Sequence, residues 1–405
     1  MQQARNNIYL LAADKLVNGG AAAVSLYLLA NHLPLDLYGS YQYALSIASI
    51  LAVAINLIDE KIVKRRFLSI CPRSLLKFIS SIKLLIIIAL FFCINGARYF
   101  DFIDETLYCL ASVFYMYFDY DNRSDIRLKA SLTGQLTNLV VMYLLVMASA
   151  PIIFFAAGTI VSSVASLVIF LKFAPLLPKA SKKLNLNQKN KKALLIESIP
   201  FGLATIAHII YYRLDLVMVG WLLDYSEAGI YSAGSQVISL SILFIYPVQT
   251  ALFKTFSKTH LESKKDFYAY YLSITRTMTV VGALISIGVW LSFDLFRSIL
   301  LPEHFQRIDE FLWILLIGTV VQYNACMRSS FLVLEEKGVL LLYFQCLALA
   351  LNIMLNYLLI PVIGLQGASL ATLTSITFNL FLANLLHPLT RPLIKLQLLL
   401  RARNV

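Results

Sequence analysis

The chain has 405 residues, 59% of them hydrophobic and 14% charged, with a mean hydropathy of +0.75 and a formal net charge of +12. Soluble domains carry about 25% charged residues, so this composition excludes a water-soluble enzyme or binding module and specifies a polytopic membrane protein. The positive balance does not denote a nucleic-acid partner, because no aromatic-interleaved basic domain stands outside the apolar runs.

Apolar runs long enough to span a bilayer are predicted at 8–30, 38–58, 78–96, 105–120, 132–148, 151–171, 193–220, 228–250, 269–293, 311–334, 339–360 and 367–387. The fold class is therefore all-α, with about 12 transmembrane helices in two six-helix lobes. The apolar run after Arg5 continues past Ala30 and is expected to stay in the protein rather than be cleaved as a signal peptide. Residues 1–171 make the N-terminal lobe and 193–387 the C-terminal lobe. Between them 172–192 is a lysine-rich linker with Pro175 and Pro178, a solvated composition, and 388–405 is a basic tail.

Loop charge sets the orientation. Most of the 34 cations, including Lys61, Lys64, Arg65, Arg127, Lys182, Lys183, Lys258, Arg328 and Lys337, fall in loops or ends on one side, against Arg98, Arg297 and Arg307 on the other. Both termini are thus predicted to be cytoplasmic. The basic loops face an anionic leaflet that attracts each cation by about 1 kcal/mol.

An internal repeat matches the two lobes. A shift of 190 positions lays TyrGlySerTyrGlnTyrAla (38–44) on AlaGlyIleTyrSerAlaGly (228–234), so that Gly39 meets Gly229 and Tyr41 meets Tyr231. The same shift superposes the first span on the seventh and the second on the eighth, as parallel repeats of a six-helix transporter half require.

The run AsnHisLeuProLeuAspLeuTyrGlySerTyr after the first helix, the segments IleProPheGly, TyrArgLeuAsp and GluAlaGlyIleTyrSerAla, and residues 351–372 resemble the Wzx-type polysaccharide flippases. These belong to the multidrug/oligosaccharidyl-lipid/polysaccharide exporter superfamily. AsnHisLeuPro stands where an Arg-containing LeuGlyPro turn is common, and Glu335 to Lys337 where a GlyArg pair often sits. The resemblance implies flipping of an undecaprenyl-pyrophosphate-linked oligosaccharide, such as an O-antigen unit, across a bacterial inner membrane by alternating access. A monomer is expected, because one chain already supplies both halves of the transport path; no cofactor is expected, H+ or Na+ coupling is left open, and a polysaccharide polymerase and chain-length machinery are the expected partners. The alternatives are a multidrug exporter of the same superfamily or a membrane polymerase or ligase. No HExxH, P-loop or GxSxG occurs, and the acidic and basic residues of the 294–310 loop suit solvation, so no catalytic residue is expected.

Candidate site residues come from polar positions at membrane depth, which usually have a function. The seventh helix carries Glu197, His208, Arg213 and Asp215 over about 42 Å of expected length, with a bend expected near Pro200 and Gly202. The first helix bears a stripe of Asn7, Asp14, Asn18 and Ser25 beside Lys15; the eleventh repeats it with Gln345, Asn352 and Asn356, and the twelfth with Thr372, Ser375 and Asn379. Such stripes suit either interhelical hydrogen bonds or a wet lumen that accepts a sugar.

A glycolipid pyrophosphate needs fixed cations. The substrate-binding candidates are Lys15, Arg213 and Arg276, with Asn18, Asn352, Asn356 and Tyr211 for the sugar. Asp14 with Lys15 and Asp215 with Arg213 are alternatively structural ion pairs, Lys15 and Arg276 are placed to snorkel, and Tyr211, Tyr212 and Tyr231 suit packing as well as sugar stacking. Asp14, His208 and Asp215 are the ion-coupling candidates. Cys71, Cys93, Cys109, Cys326 and Cys346 form no CxxC pair and are expected to pack, without a metal.

Overall fold

A computed structural model describes residues 2–58, 62–63, 72–91, 107, 114, 116–118, 121, 123–173 and 187–399. Among the described residues every regular element is helical, and the chain is a polytopic all-α membrane protein. The elements are α1 (Gln2–His32), α2 (Leu35–Ala52, prolonged by a 3-10 turn to Asn56), α3 (Pro72–Phe91), α4 (Ser124–Met147) and α5 (Phe155–Phe173). They continue with α6 (Gln188–Leu222), α7 (Tyr225–Ser241), α8 (Ile245–Glu262), α9 (Lys264–Leu300), α10 (Asp309–Asn324), α11 (Arg328–Leu334), α12 (Gly338–Leu380) and α13 (Arg391–Gln397). Seven helices among the described residues are long and apolar enough to cross a membrane. α1 has the length, at 31 residues, but its polar stripe lowers its hydropathy.

All the expected spans but the fourth, which falls mostly outside the described residues, coincide with helix. The differences lie at breaks and ends. The eighth span is two helices, α7 and α8, and the tenth is α10 and α11, because the backbone turns at 242–244 and 325–327. α4 begins at Ser124 and α3 at Pro72, earlier than the apolar runs, since nothing in those polar leads breaks a helix. α6 starts at Gln188 inside the expected linker, and 174–186 lie outside the described residues. α7 starts where Asp224 caps it, its Oδ1 accepting from the Glu227 N–H at 2.8 Å.

α12 contains both the eleventh and twelfth spans. Gln345 and Asn379 hydrogen-bond at 2.9 Å, although 34 residues of straight helix would separate them by about 51 Å. The chain reverses at Ile363 and Gly364, where Gly364 has φ +59°, a left-handed conformation open to glycine without a Cβ penalty. The first arm (338–362) and the second (365–380) are therefore antiparallel. α6 is a continuous helix of 35 residues with Pro200 inside it, about 52 Å long. The absent side chain at Gly202 admits the Leu57 carbonyl, which a Cβ would meet at 1.8 Å.

The chain divides into two compact units: residues 1–32 with 41–213, and residues 33–40 with 214–405. In the first, α1 and α5 pack on α4, and Ser166 Oγ donates to the Ala130 carbonyl at 3.1 Å. In the second, Phe256, Phe267, Tyr271, Tyr323 and Phe331 build an aromatic core that Leu393 and Leu396 of α13 complete. The expected tail thus includes a packed helix: Asn384 donates to Gln397 Oε1 at 3.0 Å and Gln397 Nε2 to the Leu380 carbonyl at 2.9 Å.

Candidate functional site

Within the second unit α6 places Asp215 against both arms of α12. Asn352 and Asn356, one helical turn apart on the first arm, donate their Nδ2 groups to Asp215 Oδ1 at 2.9 and 2.6 Å. Thr372 Oγ1 of the second arm donates to Oδ2, and Tyr231 of α7 reaches the same oxygen at 3.4 Å. Asn356 also donates to Asn352 Oδ1 at 3.1 Å. Asp215 is 4% exposed, and both asparagines are fully buried. All the partners of this carboxylate are neutral.

The first unit holds a second buried carboxylate with a different neighbourhood. Asp14 of α1 accepts from Arg127 Nε of α4 at 3.0 Å and from Ser131 Oγ one turn further on. Asn18 donates to the Asp14 carbonyl at 2.7 Å and accepts from Gln135 Nε2 at 2.9 Å. Asp14 therefore has a cationic partner, and that partner is Arg127.

Two residues of α6 are exposed away from its lipid stripe. Ile196, Ile199, Leu203 and Trp221 are exposed apolar residues along one face. His208 and Arg213 are exposed as well, but they lie roughly 140° and 80° round the helix from Leu203, on opposite sides. Arg213 is nine residues, about 13 Å, inside the end of α6. It makes no ion pair among the described residues. Asp215, two positions on, points about 200° away from it, so the Arg213–Asp215 pair considered from sequence does not form. His208 packs beside Tyr211 and Tyr212, with ring centroids 6.1 and 6.3 Å apart.

Residues 126–260 of the sequence match a family model, "Polysaccharide biosynthesis protein". A curated protein of Haloferax volcanii, "Probable low-salt glycan biosynthesis flippase Agl15", is 25% identical over 229 residues, 55% of this chain and 48% of that protein; the chain spans about half the length of this relative. Among solved structures, a superfamily transporter from Pyrococcus furiosus gives a TM-score of 0.67 at 13% identity, covering 98% of this chain and 96% of that one. A point mutant of the Vibrio cholerae MATE transporter VcmN gives 0.66 at 12% identity, with 98% of each chain covered. These structural likenesses establish the fold. The family model covers a third of the chain and, with the flippase relative, agrees with the resemblance to Wzx-type flippases read from sequence.

The residues singled out in the sequence fall in different surroundings. Asp215, Asn352 and Asn356 come together, but as a sealed cluster, so the two asparagines do not line an open sugar path; Tyr211 is 2% exposed and is likewise inside. Asp14 and Asn18 share the α1–α4 network. Arg213 and His208 are the exposed pair. Lys15 is half-buried and engaged with a neighbour. Arg276, on the exposed surface of α9, donates Nη2 to the Leu399 carbonyl at 2.9 Å and so ties down the segment after α13.

Two cations assigned to loops by sequence lie instead in helices, Arg127 half-buried and Arg328 buried. Arg127, with its side chain 11% exposed, serves Asp14; Arg127, Ser131 and Gln135 at i, i+4 and i+8 are a helical stripe that could have revealed this. Arg328 is 1% exposed, donates Nε to Asn384 Oδ1 at 2.7 Å and lies 4.9 Å from the centroid of the Phe344 ring. No local spacing signals that burial, because Asn384 is far along the chain. Cys326 is buried and Cys346 exposed; the other three cysteines lie outside the described residues.

Proposed function

We propose that this protein flips a lipid-linked oligosaccharide between membrane leaflets without chemically altering it. The observation that carries this reading is Arg213, exposed about 13 Å inside the end of the apolar helix α6 and making no ion pair among the described residues. A guanidinium facing acyl chains costs several kcal/mol, so this side chain belongs in water or against an anion. A glycolipid pyrophosphate is such an anion, and Arg offers it a planar fork of donors. The polysaccharide-biosynthesis family match and the glycan-flippase relative support the same substrate class.

The finer expectations form part of the proposal: an undecaprenyl-pyrophosphate carrier, movement from the cytoplasmic to the periplasmic leaflet of an inner membrane, alternating access, and both termini cytoplasmic. A multidrug exporter for organic cations fits less well, since both aspartates are buried and saturated with donors while Arg213 is exposed. The test is reconstitution of the purified chain into vesicles carrying a fluorescent lipid-linked oligosaccharide, with impermeant quenching to measure leaflet exchange. Exchange above that of protein-free vesicles is expected. Efflux of an organic cation with no glycolipid exchange would favour the exporter.

A further inference from the structure

We propose that the second unit holds a binding site for a small monovalent inorganic anion, chloride foremost, between Arg328 of α11 and Tyr271 of α9. Arg328 is 1% exposed, and a guanidinium keeps its proton in proteins. A buried charge is costly unless something of opposite sign stands beside it. Asp14 meets that cost through Arg127. Arg328 makes no ion pair among the described residues, and Glu335, the nearest acid along the chain, is held by His260 at 2.8 Å. The Phe344 ring, 4.9 Å from Arg328 Cζ, offsets only part of the cost, because a ring quadrupole is not a full charge.

The guanidinium is fixed so that one edge stays free. Nε donates to Asn384 Oδ1 at 2.7 Å. Asn384 is itself pinned, its Nδ2 donating to the Leu380 carbonyl at 2.9 Å and to Gln397 Oε1 at 3.0 Å. Nη2, on the other side of the guanidinium, is buried and has no hydrogen-bond partner. A second unused donor comes from α9: Tyr271 is fully buried, and its hydroxyl also has no partner. Tyr271 packs in the same core as Met327 and Phe331, which flank Arg328 in the chain, and lies within electrostatic reach of the guanidinium. Two unpaired buried donors beside one uncompensated positive charge are uncommon in folded proteins, and an ion is among the reasons for such groups.

The donors specify the class of ligand. An arginine N–H can only donate, so the partner is an acceptor and not a metal cation. One guanidinium balances one negative charge. A phosphate or sulfate dianion would leave an excess charge in apolar surroundings and would ask for more donors than these two. A halide meets both limits and accepts from any direction. Occupancy would tie α9 to α11 and, through Asn384, to the segment that leads into α13. The site shares no residue with Arg213, and the proposal does not rest on the flippase reading.

The experiment uses the purified full chain in detergent, exchanged into sodium gluconate and titrated with sodium chloride at constant ionic strength. A saturable rise in melting temperature is expected, since an ion bound only to the folded state stabilises it. Bromide should replace chloride, and sulfate should not. Tyr271→Phe deletes only a hydroxyl without a protein partner, so in gluconate it should melt like the wild type. It should raise the half-saturating chloride concentration roughly tenfold, the share of one hydrogen bond to a charged group. Arg328→Gln should abolish the response, and if that variant fails to fold, Tyr271→Phe decides. Lys258→Gln, which removes an exposed cation of α8, should respond as the wild type does. Equal melting in chloride and gluconate would overturn the proposal and leave the two donors to water. A response unchanged in Tyr271→Phe, or one that survives Arg328→Gln, would overturn it as well, and so would sulfate acting more strongly than chloride, which would point to a phosphate-like dianion. None of these measurements reads glycolipid exchange, so the two proposals fail separately.

Discussion

Gly39 and Gly229, the two glycines that the 190-residue repeat superposes, lie against each other: a Cβ on Gly229 would sit 3.2 Å from Gly39 Cα, and one on Gly39 would sit 2.9 Å from Gly229 N and 1.6 Å from the Tyr225 carbonyl oxygen. Small residues let two helix backbones approach this closely. Here the first turns of α2 and α7 cross within the second unit. Beside them Tyr38 is fully buried, accepts from Gln236 Nε2 at 3.1 Å and packs edge-on to Phe305. The repeat read from sequence thus includes a contact between its own copies.

Gly39→Val is expected to destabilise the protein strongly, because the atom it meets is backbone and cannot swing aside. Overpacking costs about 1–3 kcal/mol or more. Gly20→Ala, where nothing lies within 4 Å of the added atom, is the control and should melt like the wild type. Thermal unfolding of both variants in detergent checks the pair; equal melting temperatures would show that the α2–α7 crossing yields easily.

The buried ion pair makes a second prediction. Removing Arg127 leaves Asp14 charged and sealed, at a cost of about 3–5 kcal/mol, so Arg127→Met should be expressed poorly or melt early. The double variant Asp14→Asn with Arg127→Met removes both charges and should recover much of that loss. A double variant as unstable as the sum of the singles would mean that the two side chains act independently.

Much of this architecture was legible because spans announce themselves by length and apolarity. Asp14, Asn18, Asn352 and Asn356 also stood out, as amides and acids at helical spacing within apolar runs. Sequence could not show which partner each would find. Asp14 chose Arg127 over its neighbour Lys15, since i and i+1 do not face each other on a helix. Asp215 collected donors from residues up to 157 positions away, a distance at which no local pattern speaks. Arg127 and Arg328 were hidden by their position near the ends of apolar runs, where a basic residue ordinarily reports topology and where Arg127 is half-buried on Asp14 and Arg328 fully buried.

The tail makes a third, graded prediction. Arg276→Ala removes one exposed hydrogen bond to the Leu399 carbonyl and should cost about 1 kcal/mol or less. Gln397→Ala removes two, one of them buried, and leaves the Asn384 amide and the Leu380 carbonyl bonded only to each other, at about 1–3 kcal/mol in all. Limited proteolysis at the C-terminus should therefore be faster in Gln397→Ala than in Arg276→Ala. The reverse order would place the anchor of α13 at its exposed end.

Arg213 bears on function instead of stability. Its side chain is exposed and makes no ion pair among the described residues, so Arg213→Ala should leave folding and expression close to normal. If the guanidinium meets the glycolipid's pyrophosphate, a lost charge-assisted bond of about 1.5–3 kcal/mol corresponds to roughly a 10- to 150-fold slower exchange. Arg213→Lys keeps the charge but loses the two-pronged geometry and should fall between the two. Arg213→Glu, which repels the same anion, should be the slowest. Leaflet-exchange rates measured in vesicles at matched protein density give the ranking, and an Arg213→Glu variant as fast as the wild type would remove this residue from the anion's route.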